Sequence, residues 1–137
     1  MNNSYLETMS EAWCTIHSDT IQSEEQFKNQ VESMVGSFID SEQDKEWSPD
    51  LFIYENPGYS EYRKHDFPDG FMFFRFNIDI EDKEGYSIKK YIHLASFILT
   101  NLWRLRIPSV AVCRYEDYLP LKGGYKSQWS CSPPKNF

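Results

Sequence analysis

Four carboxylates are the residues whose spacing first suggests chemistry. Glu81 and Asp82 close one apolar segment, and Glu116 and Asp117 close another. If those segments are parallel strands, all four acids gather at one sheet edge. Ligands of parallel sheets collect at carboxyl ends, and hard cations favour clustered oxygens. The residues thus offer a divalent-metal site at Glu81, Asp82, Glu116 and Asp117, against the commoner role of solvated acids ending two strands. Other signatures are absent. There is no G-x-S-x-G, H-E-x-x-H, Walker loop or G-x-G-x-x-G. Gly123-Gly124, between Lys122 and Lys126, reads as a turn rather than a phosphate cradle. His17, His65 and His93 are scattered, and His93 has no second histidine one helical turn on. Cys14, Cys113 and Cys131 form no C-x-x-C and match no disulfide framework, so free thiols are expected. No catalytic residue and no cofactor is assigned.

The elements that must position these groups follow from periodicity. Ser4-Tyr5-Leu6-Glu7 has capping-box form, and Leu6, Met9, Trp13 and Ile16 recur at helical spacing. Residues 5–17 are therefore expected to be helical, with a strand through Trp13-Cys14-Thr15-Ile16 as the alternative. A second capping box, Ser23-Glu24-Glu25-Gln26, opens a helix over 24–40 with Phe27, Val31, Met34, Val35, Phe38 and Ile39 on one stripe. Leu51–Glu55 reads as a short strand stopped by Asn56-Pro57-Gly58. The loop 56–70 is long, and Tyr59, Tyr62 and Phe67 argue that it is ordered.

Residues 71–81 read as one strand, with Met72, Phe74, Phe76, Ile78 and Ile80 on its core face and Arg75, Asn77, Asp79 and Glu81 opposite. Ser87 caps a long helix through Arg106, and Pro108 leads into a strand at 109–115. Strand, helix and strand predict a β-α-β unit with parallel strands. The expectation is a single α+β domain over 1–137 in the order α-α-β-β-α-β. It has an acidic helical part at 1–46, a small mixed sheet with the long helix at 50–120, and an irregular tail at 121–137. Val31, Val35, Phe38, Phe74, Phe76, Ile78, Ile92, Ala95, Leu99 and Val112 should fill its core.

Charge narrows the partners. The net charge is −7 over 137 residues. Residues 1–46 carry ten acids against Lys28 and Lys45, net −8, whereas the remainder is near neutral. Nucleic acid requires a basic surface, and an anionic membrane would repel this chain. A basic protein partner fits, because a one-sided field speeds encounter. The acidic surface comprises Glu24, Glu25, Glu32, Asp40, Glu42, Asp44 and Glu46, with Asp79 and Glu81 on the open sheet face and Tyr59 and Tyr62 as aromatic anchors. The residues Met1 to Tyr5 show neither a basic nor an apolar signal region, so a cytoplasmic protein with reduced cysteines is expected.

Asp66-Phe67-Pro68-Asp69-Gly70-Phe71-Met72-Phe73-Phe74 and the segment Val110 to Pro120, with the helix between them, resemble small acidic bacterial immunity proteins of polymorphic or contact-dependent toxin systems. The resemblance spans 66–120 and carries no catalytic signature. It implies a binding protein that neutralises a toxin domain by occlusion. A small metal-dependent enzyme or ligand-binding domain using the carboxylate edge is the alternative.

Overall fold

The computed structural model describes residues 12–41, 48–83 and 86–133. Its elements are β1 (Cys14–Ser18), α1 (Glu24–Ser41), β2 (Leu51–Glu55), β3 (Phe76–Ile80), α2 (Ile88–Arg104) and β4 (Ser109–Cys113). The four strands form one sheet in the order β2-β3-β1-β4. Every pairing is antiparallel. The described order is therefore β-α-β-β-α-β, the split β-α-β connectivity of ferredoxin-like sheets.

This corrects the expected order and the expected mixed sheet. Residues 12–17 are not helical, and the rest of the predicted first helix lies outside the described residues. Alternation decides the matter: Cys14, Ile16 and Ser18 are buried, while Thr15 and His17 are only half-buried. That two-residue period suits a central strand, where neighbours on both sides satisfy the backbone. β3 and β4 both run antiparallel to β1, so they are parallel to each other, but β1 lies between them. They are not neighbours in a β-α-β pair.

The helices cover one face of the sheet. Ser23 and Gln26 form the reciprocal capping box: each backbone N–H donates to the other's side-chain oxygen, at 3.1 and 3.2 Å. Phe27, Val31, Val35 and Phe38 of α1 then enter the core. Ser87 caps α2 by accepting from the Lys89 N–H at 3.2 Å. Ile92, Leu94, Ala95, Ile98, Leu99 and Leu102 of α2 meet Cys14, Ile16, Phe76, Ile78, Ile80 and Ala111 of the sheet. Phe27 stacks on Phe76 with ring centroids 5.1 Å apart, and Phe38 meets Phe97 at 5.3 Å.

The other face is half-covered. The expected strand 71–81 starts only at Phe76; Asp69–Phe73 is a 3₁₀ turn instead. The turn folds Phe71 and Phe74 onto the face away from the helices, where they form a small second cluster with Val110 and Val112. Met72 is left 52% exposed. The local cause is the hydrogen bonding of Asn56, whose amide donates to the carbonyls of Met72 and Phe74 at 2.9 and 2.8 Å. These backbone groups are thereby satisfied outside a ladder.

These placements set an expectation for stability. Phe76→Ala should cost about 3–5 kcal/mol in denaturant unfolding, because it opens a cavity beneath Phe27. Met72→Ala should cost under about 1 kcal/mol. A single strand through 71–80 would put both residues on one buried face and make both changes severe.

Candidate functional surface

The predicted residues fall into separate places. Glu24, Glu25, Glu32 and Asp40 lie along α1 and are exposed to solvent. The stripe that buries Phe27, Val31 and Val35 forces this, since the remaining positions of the turn point outward. Lys28 is the only basic residue of α1, and its last turn holds none. Glu24 also accepts the Glu55 N–H at 3.1 Å, tying the acidic start of α1 to the end of β2, from which the aromatic loop departs. Glu42, Asp44 and Glu46 lie outside the described residues.

Asp79 does not join this surface. It sits on the sheet face away from the helices, opposite Phe52 in the β2–β3 register. Tyr54 donates its phenol to one Asp79 oxygen at 2.8 Å. Thr15 donates its hydroxyl to the other at 2.7 Å. Burial, and then the bond to Asp79, raise the Tyr54 phenol above its ordinary value. One strand over, His17 donates its Nδ1–H to the Asn77 side-chain oxygen at 2.7 Å, and Phe71 lies 5.6 Å from its ring. Burial, outweighing the Asn77 bond, lowers the His17 imidazole below its usual value and keeps it neutral at pH 7. Beside this locked row, Phe52 is 56% exposed. Glu81 is exposed beyond the end of β3.

The four edge carboxylates are not gathered. The parallel sense of β3 and β4 does bring their ends to one side of the sheet, but β1 intervenes. Two inter-strand spacings, about 10 Å, separate the strands. Asp82 accepts the Ala12 N–H at 3.1 Å, at the start of β1, and Glu116 accepts the Cys113 N–H at 3.3 Å, at the end of its own strand, so the two acids are engaged at different strands. Glu81 and Asp117 are solvent-facing. Among the described residues, no group of three or more His, Cys, Asp or Glu is arranged to hold a metal ion. Gly123 and Gly124 are buried against β4: a Cβ on either would lie 2.9 Å from the Ala111 or Ser109 carbonyl oxygen. They serve close packing.

The aromatic loop is ordered by one buried acid that sequence reading passed over. Asp19, just after β1, takes Lys64 Nζ at 3.1 Å; its side chain is 7% exposed and that of Lys64 is 11%. The same Asp19 oxygen accepts the Ser132 hydroxyl at 2.8 Å, and the other accepts the Arg75 N–H at 3.3 Å. Lys64 reaches Glu61 at 3.1 Å as well. Burial works against the Lys64 ammonium, but attraction to Asp19 and the hydrogen bonds to Asp19 and Glu61 outweigh it and hold its pKa above the ordinary lysine value. Tyr59 donates its hydroxyl to Glu61 and lies over Lys64, so it braces this anchor. Tyr62 is 85% exposed and is the loop's freest aromatic side chain. The only sequence cue was an acid directly after an alternating segment, which a helical reading of 5–17 conceals.

No described helix is long and apolar enough to cross a membrane. Comparison with models of known families, with curated proteins and with solved structures gives no match.

Lys64→Met should cost about 3–5 kcal/mol at pH 8, because it strands Asp19 in a buried site. The folded-state pKa of Lys64 is raised, so its contribution is complete below the unfolded lysine value of about 10.4 and is lost as pH rises through the folded value. Denaturant unfolding of wild type and variant should therefore differ by a constant amount from pH 7 to 9, and the difference should begin to narrow only above about pH 10.4.

Proposed function

We propose that this chain is a non-enzymatic binding protein of the immunity type, which neutralises a basic toxin domain by electrostatically steered occlusion. The supporting observation is the outer face of α1, where Glu24, Glu25, Glu32 and Asp40 are exposed against a single lysine. The rigid attachment of α1, through Phe27 on Phe76 and Glu24 on the end of β2, presents this charge without an ordering cost on binding. Tyr62 adds an exposed aromatic side chain in the loop that follows β2. Asp79 is committed to Tyr54 and Thr15, so it contributes to the sheet face rather than to the steering field.

The experiment pairs this chain with a basic C-terminal domain encoded by the adjacent gene and follows association by stopped flow. Glu25→Lys with Glu32→Lys should slow association about tenfold at low salt, and physiological salt should narrow the difference. Stability should change little, since both positions are exposed. An association rate indifferent to salt and to charge reversal would remove α1 from the interface.

A further inference from the structure

Just beyond the end of β1, beside Asp19, an open groove of about 860 Å³ cuts into the protein. It is framed by the turn after β1, Gln30 of α1, the loop after β2 at Lys64 and His65, the turn after α2 and the C-terminal segment. We propose that this groove binds a small amphipathic organic anion, a carboxylate carried on an aromatic or alkyl body, with Arg106 as its charge partner.

Charge is the first argument. The permanently charged residues lining the groove are Asp19, Lys64 and Arg106. Lys64 is held between Asp19 and Glu61, and both Asp19 oxygens are filled, by Lys64, Ser132 and the Arg75 N–H. His65, the remaining titratable ring on the wall, donates its Nδ1–H to the Ser132 carbonyl at 2.8 Å. The Arg106 guanidinium makes no ion pair or hydrogen bond with another described residue. Arg106 is thus the charge on the groove wall that no described residue pairs, in a chain whose net charge is −7.

Backbone geometry is the second argument. α2 ends in a Schellman motif: the Arg106 N–H donates to the Trp103 carbonyl at 2.9 Å, and the Ile107 N–H donates to that of Leu102, also at 2.9 Å. Arg106 holds the left-handed position of that motif, with φ of 64°. Glycine is the usual occupant, because a Cβ is strained there. Arginine brings to this strained position a guanidinium on the groove wall, and strain of this kind concentrates at binding sites.

The walls define the rest of the ligand. Ile21 is 96% exposed and Leu105 49% exposed at the groove. Ile107, Pro108 and Trp129 continue the apolar lining. A bare phosphate would leave this surface wet, whereas an aryl or alkyl carboxylate covers it while pairing with Arg106. Trp129, stacked on Trp103 with ring centroids 6.1 Å apart, supplies a fluorescent reporter in the wall.

The test titrates the full chain with 3-phenylpropionate, with the uncharged 3-phenylpropan-1-ol and with inorganic phosphate, following tryptophan emission and heat. The carboxylate should bind at least about tenfold more tightly than either of the others. Arg106→Gly should remove that preference while raising Tm by about 3 °C through relief of the positive φ. Arg104→Gln, two residues earlier at the same helix end, should leave it intact. Failure of 3-phenylpropionate to bind by about 10 mM would overturn the proposal. Equal binding of acid and alcohol, an unchanged preference in Arg106→Gly, or an equal loss in Arg104→Gln would do the same.

Discussion

The buried pair of Asp19 and Lys64 holds together three segments that have little else in common. Asp19 extends the central strand, Lys64 belongs to the loop after β2, and Ser132 comes from the C-terminal segment; all three meet at one carboxylate. The backbone repeats the link, since the Lys64 carbonyl accepts the Ser132 N–H at 2.8 Å. Gly70 completes it: a Cβ there would lie 2.4 Å from the Lys64 carbonyl oxygen, so only glycine lets the chain pass so closely. A charged pair removed from water is a poor source of net stability but is costly to break. Its effect here is to fix one arrangement of loop and tail, which a greasy contact would hold less specifically. The wall of the groove and the seat of the second apolar cluster both follow from that arrangement.

The same division of labour separates the two faces of the sheet. The helix-covered face carries the main core, and its energetics are those of packed Phe, Ile and Leu side chains. The opposite face is held by side-chain hydrogen bonds between strands, Thr15 and Tyr54 to Asp79 and His17 to Asn77, and by the small patch around Phe71 and Phe74. An acid on α1 and an acid on β3 therefore have different physical roles despite similar exposure in sequence terms. One is a loose surface charge that acts at a distance; the other is an acceptor consumed by two hydroxyls.

What could be read without coordinates was the part governed by local chemistry. The capping box at Ser23 and the cap at Ser87 mark the helix starts, because capping needs only neighbouring residues. The stripe of α1 and the alternation of Phe76, Ile78 and Ile80 mark their own buried faces for the same reason. Four things were not readable. Trp13-Cys14-Thr15-Ile16 fits either period over so short a run, and its choice of strand depends on β3 and β4, more than sixty residues away. Phe71 to Phe74 continues the apolar alternation of β3, but Asn56 captures its carbonyls from a distant position. The carboxylate edge was inferred from parallel strands, and the sense was right while the insertion of β1 between them was invisible. The groove escaped notice because Asp19, Lys64, Arg106 and Trp129 share no motif and meet only once the chain ends of three elements converge.

The central place of β1 carries a consequence for how the chain is made. Its two hydrogen-bonding edges belong to β3 and β4, and Tyr115 closes the far end by donating its hydroxyl to the Ala12 carbonyl at 2.9 Å across 103 positions of sequence. Synthesis runs at about 5–20 residues per second, so β4 leaves the ribosome about 5–20 s after β1. During that interval β1 has neither ladder complete, and Ile16 has no covering helix α2. A β2–β3 ribbon and α1 are available early, but the sheet closes only when nearly the whole chain has emerged. High sequence separation of contacts slows folding and leaves strand edges open to wrong pairing. In the growing chain the vulnerable segment is thus the first described strand, which in the finished protein is among the best protected.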